Sequence, residues 1–96
     1  MPENSDERES LALRRKRLRY RSRYRGTKEL DLLLGSFADR HLEAFDRGQL
    51  DRFEALLESP EPMLLAWLVD GVPPPANLES DVLRLLLAHK PGLQKR

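Results

Sequence analysis

The chain has 96 residues, enough for one small domain with a thin core and little room for an internal catalytic cavity. It contains no cysteine, which excludes disulfides, thiolate metal sites and cysteine nucleophiles. The formal net charge is +1, and no apolar run approaches the roughly 20 residues of a membrane span, so we expect no membrane insertion.

The charges are distributed unevenly along the chain. Residues 14–25 contain eight basic side chains and no acid, whereas residues 26–96 contain eight basic and twelve acidic side chains. A basic segment on a mildly acidic body can steer the encounter with an acidic partner. The acidic residues 1–10 resemble neither a signal peptide nor a transit peptide, so we expect a cytoplasmic, bacterial protein.

Helical periodicity recurs along the chain and predicts an all-α fold. The expected architecture is a small compact bundle of five helices, two of them short. We expect residues 1–7 to be a disordered tail, residues 8–90 a single helical domain and residues 91–96 a C-terminal tail.

The first two predicted helices meet at Gly26. The first helix is expected to begin near Asp6 or Glu7 and to carry a narrow apolar stripe: Leu11, Leu13, Leu18, Tyr20 and Tyr24. Gly26 should end this helix, because glycine adopts positive φ without a Cβ penalty. Thr27 is the expected N-cap of a second helix over residues 28–46. That helix carries the strongest apolar face of the sequence: Leu30, Leu33, Leu34, Phe37, His41 and Phe45.

The remaining predicted helices are shorter. We expect them over residues 50–58, 61–69 and 78–90, with an extended connector at the three prolines of residues 73–75. The expected boundary residues are Gly48, which closes the second helix, and the N-caps Ser59 and Asn77.

Catalytic and metal chemistry find little support in the sequence. His41 and His89 each lie on an apolar stripe, which favours a partly buried, hydrogen-bonded histidine over a metal ligand. Glu29 and Asp31 point about 200° apart on a helix, so they do not converge on one atom. Trp67 is expected in the core. We therefore expect no catalytic residue, no metal, no bound cofactor and no enzymatic activity.

Two kinds of binding remain open at this point. A basic helix with interleaved Tyr20 and Tyr24 could bind nucleic acid, its arginines contacting phosphates and its rings stacking on bases. It could equally be a solvated helix face. At the junction we expect Arg25 to face Glu29 across a tight turn at Gly26 and to offer a partner a planar donor fork. A binding surface and an ordinary turn are equally compatible with these residues.

The junction carries a resemblance to a known family. The segment Arg25-Gly26-Thr27-Lys28-Glu29 matches the RGxxE motif, and residues 14–90 resemble the FAD assembly factors for succinate dehydrogenase, which include mitochondrial succinate dehydrogenase assembly factor 2. The other segments that carry the resemblance are Arg15-Lys16-Arg17-Leu18, Tyr20-Arg21-Ser22-Arg23, residues 29–34 with Phe37, residues 51–57, Pro62, Trp67-Leu68 and Gly71.

The resemblance implies a helical, non-enzymatic protein that binds the flavoprotein subunit of succinate dehydrogenase and promotes covalent attachment of FAD to a histidine of that subunit. Fumarate reductase is implied as a related client. The partner-binding residues would be Arg25, Gly26 and Glu29, with Asp31, Arg21 and Arg23 as neighbouring candidates. We expect a monomer that binds no nucleic acid; the alternative is a basic-arm nucleic-acid-binding or regulatory protein.

Overall fold

A computed structural model of the protein describes residues 9–89 and contains, within that range, five α-helices and no strand. The predicted all-α fold is confirmed. The two expected tails, residues 1–7 and 91–96, lie outside the described residues. The helices are α1 (Leu11–Arg23), α2 (Lys28–His41), α3 (Arg47–Leu57), α4 (Glu61–Leu68) and α5 (Asp81–Ala88), with 3-10 turns at Leu42–Ala44 and Ala76–Leu78.

Helix α2 forms the centre of the core. Its apolar residues recur at helical spacing, and Leu30, Leu34 and Phe37 are fully buried, as predicted. Trp67 is also buried, at 6% exposure, which confirms its predicted place in the core. Gly35 lets α1 approach closely, because a Cβ there would lie 3.1 Å from Cγ of Arg23. None of the described helices is both long enough and apolar enough to cross a membrane.

The apolar stripe predicted for α1 is buried only in part. Leu18 is fully buried and Leu11 packs against the core, whereas Leu13, Tyr20 and Tyr24 are largely exposed, at 57%, 66% and 66%. The buried residues of α1 are Arg14, Leu18 and Ser22, spaced four apart. The Ser22 hydroxyl donates to the Leu18 carbonyl oxygen at 2.7 Å, so its burial leaves no hydroxyl unsatisfied.

Several helix boundaries differ from the predicted ones, and at α3 and α5 the observed N-cap makes a side-chain capping hydrogen bond. Helix α2 ends at His41, and Asp46 caps α3 in a capping box: its carboxylate accepts from the Gln49 N–H at 2.8 Å, and Gln49 Oε1 accepts from the Asp46 N–H at 3.1 Å. Gly48 therefore lies inside α3 and does not close α2. The N-caps of α4 and α5 are Pro60 and Ser80, where Ser59 and Asn77 were predicted.

A pair of histidines lies at the edge of the core, against Phe37. His89 and His41 are partly buried, with ring centroids 6.2 Å apart, and His89 Nε2 lies 2.8 Å from the Ser36 hydroxyl. Burial lowers the pKa of both imidazoles, and the positive charge of Arg40 lowers the pKa of each further. The prediction of partly buried histidines is confirmed.

Candidate partner-binding site

The turn between α1 and α2 carries the RGxxE segment and is closed by the chain itself. Gly26 has φ of +106°, a backbone conformation that side chains with a Cβ rarely adopt. The Asp31 carboxylate reaches back from the first turn of α2 and accepts from the backbone N–H of Arg25 at 2.6 Å. Thr27 occupies the N-cap position of α2, as predicted, but its hydroxyl makes no capping hydrogen bond. The turn conformation is therefore set by Gly26 and Asp31.

The Arg25 side chain points into the protein. It is 13% exposed, and it donates a hydrogen bond of 2.8 Å to the carbonyl oxygen of Leu57, the last residue of α3. Carbonyls at a helix C-terminus have no partner within the helix, so a guanidinium there is favourable. The prediction that Arg25 faces Glu29 is therefore wrong: Arg25 joins the turn to the end of α3.

A residue that the sequence did not single out completes this arrangement. Glu61 begins α4, and its Oε1 accepts from the Thr27 hydroxyl at 3.1 Å, while its Oε2 lies 3.9 Å from Arg25 Nε. An acid in the first turn of a helix is explained by the helix dipole alone, so the local sequence does not indicate a contact between Glu61 and the turn. The contact joins residues 34 positions apart, and only the fold brings them together.

The arginines of α1 contact other parts of the same chain, and we call them the arginine ladder: Arg14, Arg15, Arg17, Arg19, Arg21 and Arg23. Arg15 donates to two backbone carbonyl oxygens, at 2.7 and 2.8 Å, and the other members form ion pairs with acidic residues of the chain. The pairs are Arg14 with Asp51 and Glu54, Arg17 with Glu9 and Glu54, Arg19 with Asp39 and Glu43, Arg21 with Glu54 and Glu58, and Arg23 with Asp39.

Glu54 is the hub of the ladder. Its carboxylate accepts from Arg17 at 2.9 Å and from Arg14 at 3.0 Å, and it lies 3.7 Å from Arg21. The hydrogen bond from Arg17, joined by that from Arg14, lowers the pKa of Glu54 although burial opposes the shift. Arginines engaged in this way are not available to phosphates without breaking internal pairs. The described contacts therefore give no support to a nucleic-acid-binding arm.

The six predicted partner-binding residues thus fall into two groups. Five of them belong to the internal structure of the described chain: Arg21 and Arg23 have partners in the ladder, Arg25 and Asp31 have partners in the turn, and Gly26 shapes the turn through its positive φ. Glu29 is exposed in the first turn of α2, and it makes no hydrogen bond or ion pair to any residue of 9–89. It is the member of the predicted site that presents its charge outward.

Exposed side chains near the end of α1 and at the start of α2 form a surface that we call the docking face: Tyr20, Tyr24, Lys28, Glu29 and Leu32. A surface cavity of about 480 Å³ opens here, lined by three members of the face together with Arg23 and Asp31. The two tyrosine rings lie against each other with centroids 4.5 Å apart, and Leu32 is 56% exposed. Leu32 could have been found from the sequence, because it falls outside the i, i+3, i+4, i+7 stripe of α2.

The chemistry of these groups favours binding. Among residues 9–89, no group of three or more histidine or acidic side chains is arranged to hold a metal ion. The docking face combines aromatic and aliphatic surface with one cation and one carboxylate, a composition typical of protein interfaces.

Comparisons with known proteins agree with the resemblance found in the sequence. The family model described as "Flavinator of succinate dehydrogenase" matches residues 16–90. The FAD assembly factor SdhE of Acetobacter pasteurianus is 35% identical over 79 residues, which is 82% of this chain and 72% of that protein. The mitochondrial succinate dehydrogenase assembly factor 2 of Dictyostelium discoideum is 39% identical over 75 residues, 78% of this chain and 53% of that protein.

A further relative is the mitochondrial succinate dehydrogenase assembly factor 2-B of Drosophila simulans, 35% identical over 89 residues, 91% of this chain and 57% of that protein. The chain thus spans little more than half the length of these mitochondrial relatives. The family match covers the arginine ladder from Arg17 onward, the turn and the docking face. The chain belongs to the family of flavinators of succinate dehydrogenase.

Proposed function

We propose that this protein binds the flavoprotein subunit of succinate dehydrogenase and promotes the covalent attachment of FAD to it. The observation that carries the proposal is the docking face: an exposed carboxylate, two tyrosines whose rings are in contact and an exposed leucine, all beside a turn whose conformation is fixed. Relatives named as FAD and succinate dehydrogenase assembly factors support the choice of client. Fumarate reductase, a related flavoprotein, is a second client on this proposal.

The docking face suits a binding role because its charged group is already placed. Glu29 follows a turn that Asp31 and Gly26 hold in one conformation, so little conformational entropy is lost when a partner binds it. Tyr24 and Leu32 offer apolar surface next to the carboxylate. Aromatic anchors beside a charged group are the usual source of binding energy in an interface.

The protein would act on the flavoprotein by holding one of its conformations. Covalent attachment requires the histidine of the client to meet the flavin in reacting geometry, and positioning of this kind can contribute several kcal/mol to lowering a barrier. The helper then needs no acid, base or cofactor of its own. FAD is the cargo of the reaction and binds the client; the helper acts as a monomer on one flavoprotein subunit.

The test is an in vitro attachment assay. The purified flavoprotein subunit without flavin is incubated with FAD, with and without this protein, and covalent flavin is read as fluorescence of the denatured subunit on a gel. We expect the protein to accelerate attachment, and Glu29→Ala to remove most of that acceleration. The matched control is Glu43→Ala, because Glu43 is also an exposed carboxylate and lies outside the docking face.

Three results would count against the proposal. Attachment at the same rate with and without the protein would exclude its activity. Full acceleration by Glu29→Ala would exclude the docking face as the binding site. Salt-dependent binding of the protein to labelled DNA or RNA, lost when the arginine ladder is neutralised and kept in Glu29→Ala, would favour the nucleic-acid alternative instead.

A further inference from the structure

The carboxylate of Glu61 lies at the centre of the RGxxE turn, although Glu61 belongs to a different helix. It accepts a hydrogen bond from Thr27 at 3.1 Å and lies 3.9 Å from Arg25 Nε. A Cβ placed on Gly26 would lie 3.7 Å from each of its two oxygens. Three consecutive residues of the turn therefore close around one carboxylate, whose side chain is 34% exposed.

The position of Glu61 in its helix does not explain this arrangement. Any acid in the first turn of α4 would interact favourably with the helix dipole, and aspartate would do so as well as glutamate. The length of the glutamate side chain matters for a different reason. It carries the carboxylate away from its own helix and across to Thr27 and Arg25.

Arg25 also requires a negative charge at this place. Its guanidinium is largely buried, and its Nε has no hydrogen-bond partner within the described residues. Burying a cation is unfavourable unless an opposite charge lies close to it. Leu57 supplies a carbonyl oxygen, which carries only a partial charge, so Glu61 supplies the counter-charge that allows Arg25 to remain inside.

We propose that Glu61 is a positioning residue for the docking face, an inference that rests on the proposed function. Glu61 acts through two residues: Arg25, at the start of the turn, and Thr27, the N-cap of α2. By holding both, it fixes the direction in which α2 leaves the turn and so the place of Glu29. Glu61 itself does not contact the flavoprotein.

The test combines a binding measurement with a measurement on the turn itself. Calorimetry gives the affinity of the full chain for the flavoprotein subunit, and NMR of the labelled chain follows the Gly26 amide and the Arg25 Nε–H. The variants are Glu61→Ala and Glu61→Asp, with Glu43→Ala as control. Glu61→Asp keeps a negative charge at the start of α4, but its shorter side chain does not reach Thr27 and Arg25. It therefore distinguishes the contacts with the turn from the interaction with the helix dipole.

We expect both Glu61 variants to bind the flavoprotein about tenfold more weakly, as loss of a charge-assisted hydrogen bond allows. Both should shift the Gly26 and Arg25 resonances, while thermal unfolding should show Glu61→Asp still fully folded at the temperature of the binding measurement. The control should match the wild type in all three readouts. If Glu61→Ala does not fold, Glu61→Asp alone decides the outcome.

Unchanged affinity in Glu61→Asp would overturn the inference. So would tighter binding by Glu61→Ala, because Glu61 would then compete with the partner for Arg25. A loss of affinity matched by an equal loss of folded protein would show a general structural role and would also overturn it.

If the wild-type chain binds no flavoprotein subunit, the proposed function fails separately. The resonances then decide: shifted Gly26 and Arg25 signals in Glu61→Asp support positioning, and unshifted signals exclude it.

Discussion

The arginine ladder leads to a quantitative prediction for Glu54→Gln. Glutamine keeps the size of the side chain and removes the charge that Arg14 and Arg17 share. Arg14 is 7% exposed, and removing one partner of a buried ion pair costs about 3–5 kcal/mol when no other partner remains. Asp51 still accepts from Arg14 at 2.6 Å but is 66% exposed, so we expect a smaller loss, about 2 kcal/mol in the free energy of unfolding.

This loss would be easy to measure in so small a protein. A domain of this size is stable by roughly 0.05–0.15 kcal/mol per residue, and about 2 kcal/mol corresponds to a decrease of roughly 10 °C in the unfolding midpoint. The assay is urea unfolding followed by circular dichroism. The matched control is Glu58→Gln, because Glu58 pairs with Arg21 at 3.3 Å, is 66% exposed, and should contribute less than about 1 kcal/mol.

The burial of Arg14, and not the number of charges in the ladder, is the source of the predicted difference. Replacing both Arg14 and Glu54 with methionine removes the buried charge together with its partner, so this double variant should be more stable than Glu54→Gln. The reasoning would be refuted if Glu54→Gln lost no more stability than Glu58→Gln. That result would mean that the ladder behaves as a set of ordinary surface pairs.

Three further predictions concern the turn and the histidine pair. Gly26→Ala should lower the free energy of unfolding by about 1–2 kcal/mol in urea, because φ is +106° there, whereas Gly48→Ala, inside α3, should not. Arg25→Ala should lower stability by about 1–3 kcal/mol through loss of its bond to Leu57, and Glu29→Ala should leave the urea midpoint unchanged. Burial and then the charge of Arg40 lower the pKa of His41, so the unfolded chain binds the proton more tightly than the folded protein does. The free energy of unfolding should therefore be highest above about pH 6.5 and decrease as the pH falls below it. Unfolding measured across that range should show a smaller decrease in His41→Phe.

The fold was predictable where one helix face is decided by apolar spacing alone. In α2, leucine and phenylalanine recur at helical intervals, and the residues expected to be buried, Leu30, Leu34 and Phe37, are buried. In α1 the same reasoning held for Leu18 and failed for Tyr20 and Tyr24, because it treats arginine as a surface residue. Arg14 is buried by carboxylates 37 and 40 positions later in the chain, and local periodicity carries no information about such partners.

The boundaries show a second limit of local reasoning. Near residue 46 the sequence offers both a glycine that can end a helix and an aspartate that can begin one. The capping box of Asp46 and Gln49 satisfies two backbone N–H donors, one on each residue. Gly48 therefore lies inside α3. At α5 the hydroxyl of Ser80 accepts from the Leu83 N–H at 3.0 Å, so the helix begins later than the Asn77 cap predicted.

The same distinction applies to the candidate site. The positive φ of Gly26 is a property of one residue, and the sequence predicted it. The direction of Arg25 depends on the end of α3 and on Glu61, which are distant in sequence. The family resemblance identified the segment without saying which of its residues face outward.

The structure therefore assigns different physical tasks to residues that a motif presents as equivalent. Arg25, Gly26 and Asp31 hold the turn through contacts within the chain, whereas Glu29 has no such contact among residues 9–89. On the proposed function, loss of either kind of residue should weaken binding by a different route: the first by changing the unbound protein, the second by removing a contact from the complex. The exposed carboxylate is then useful only in the place that the turn gives it.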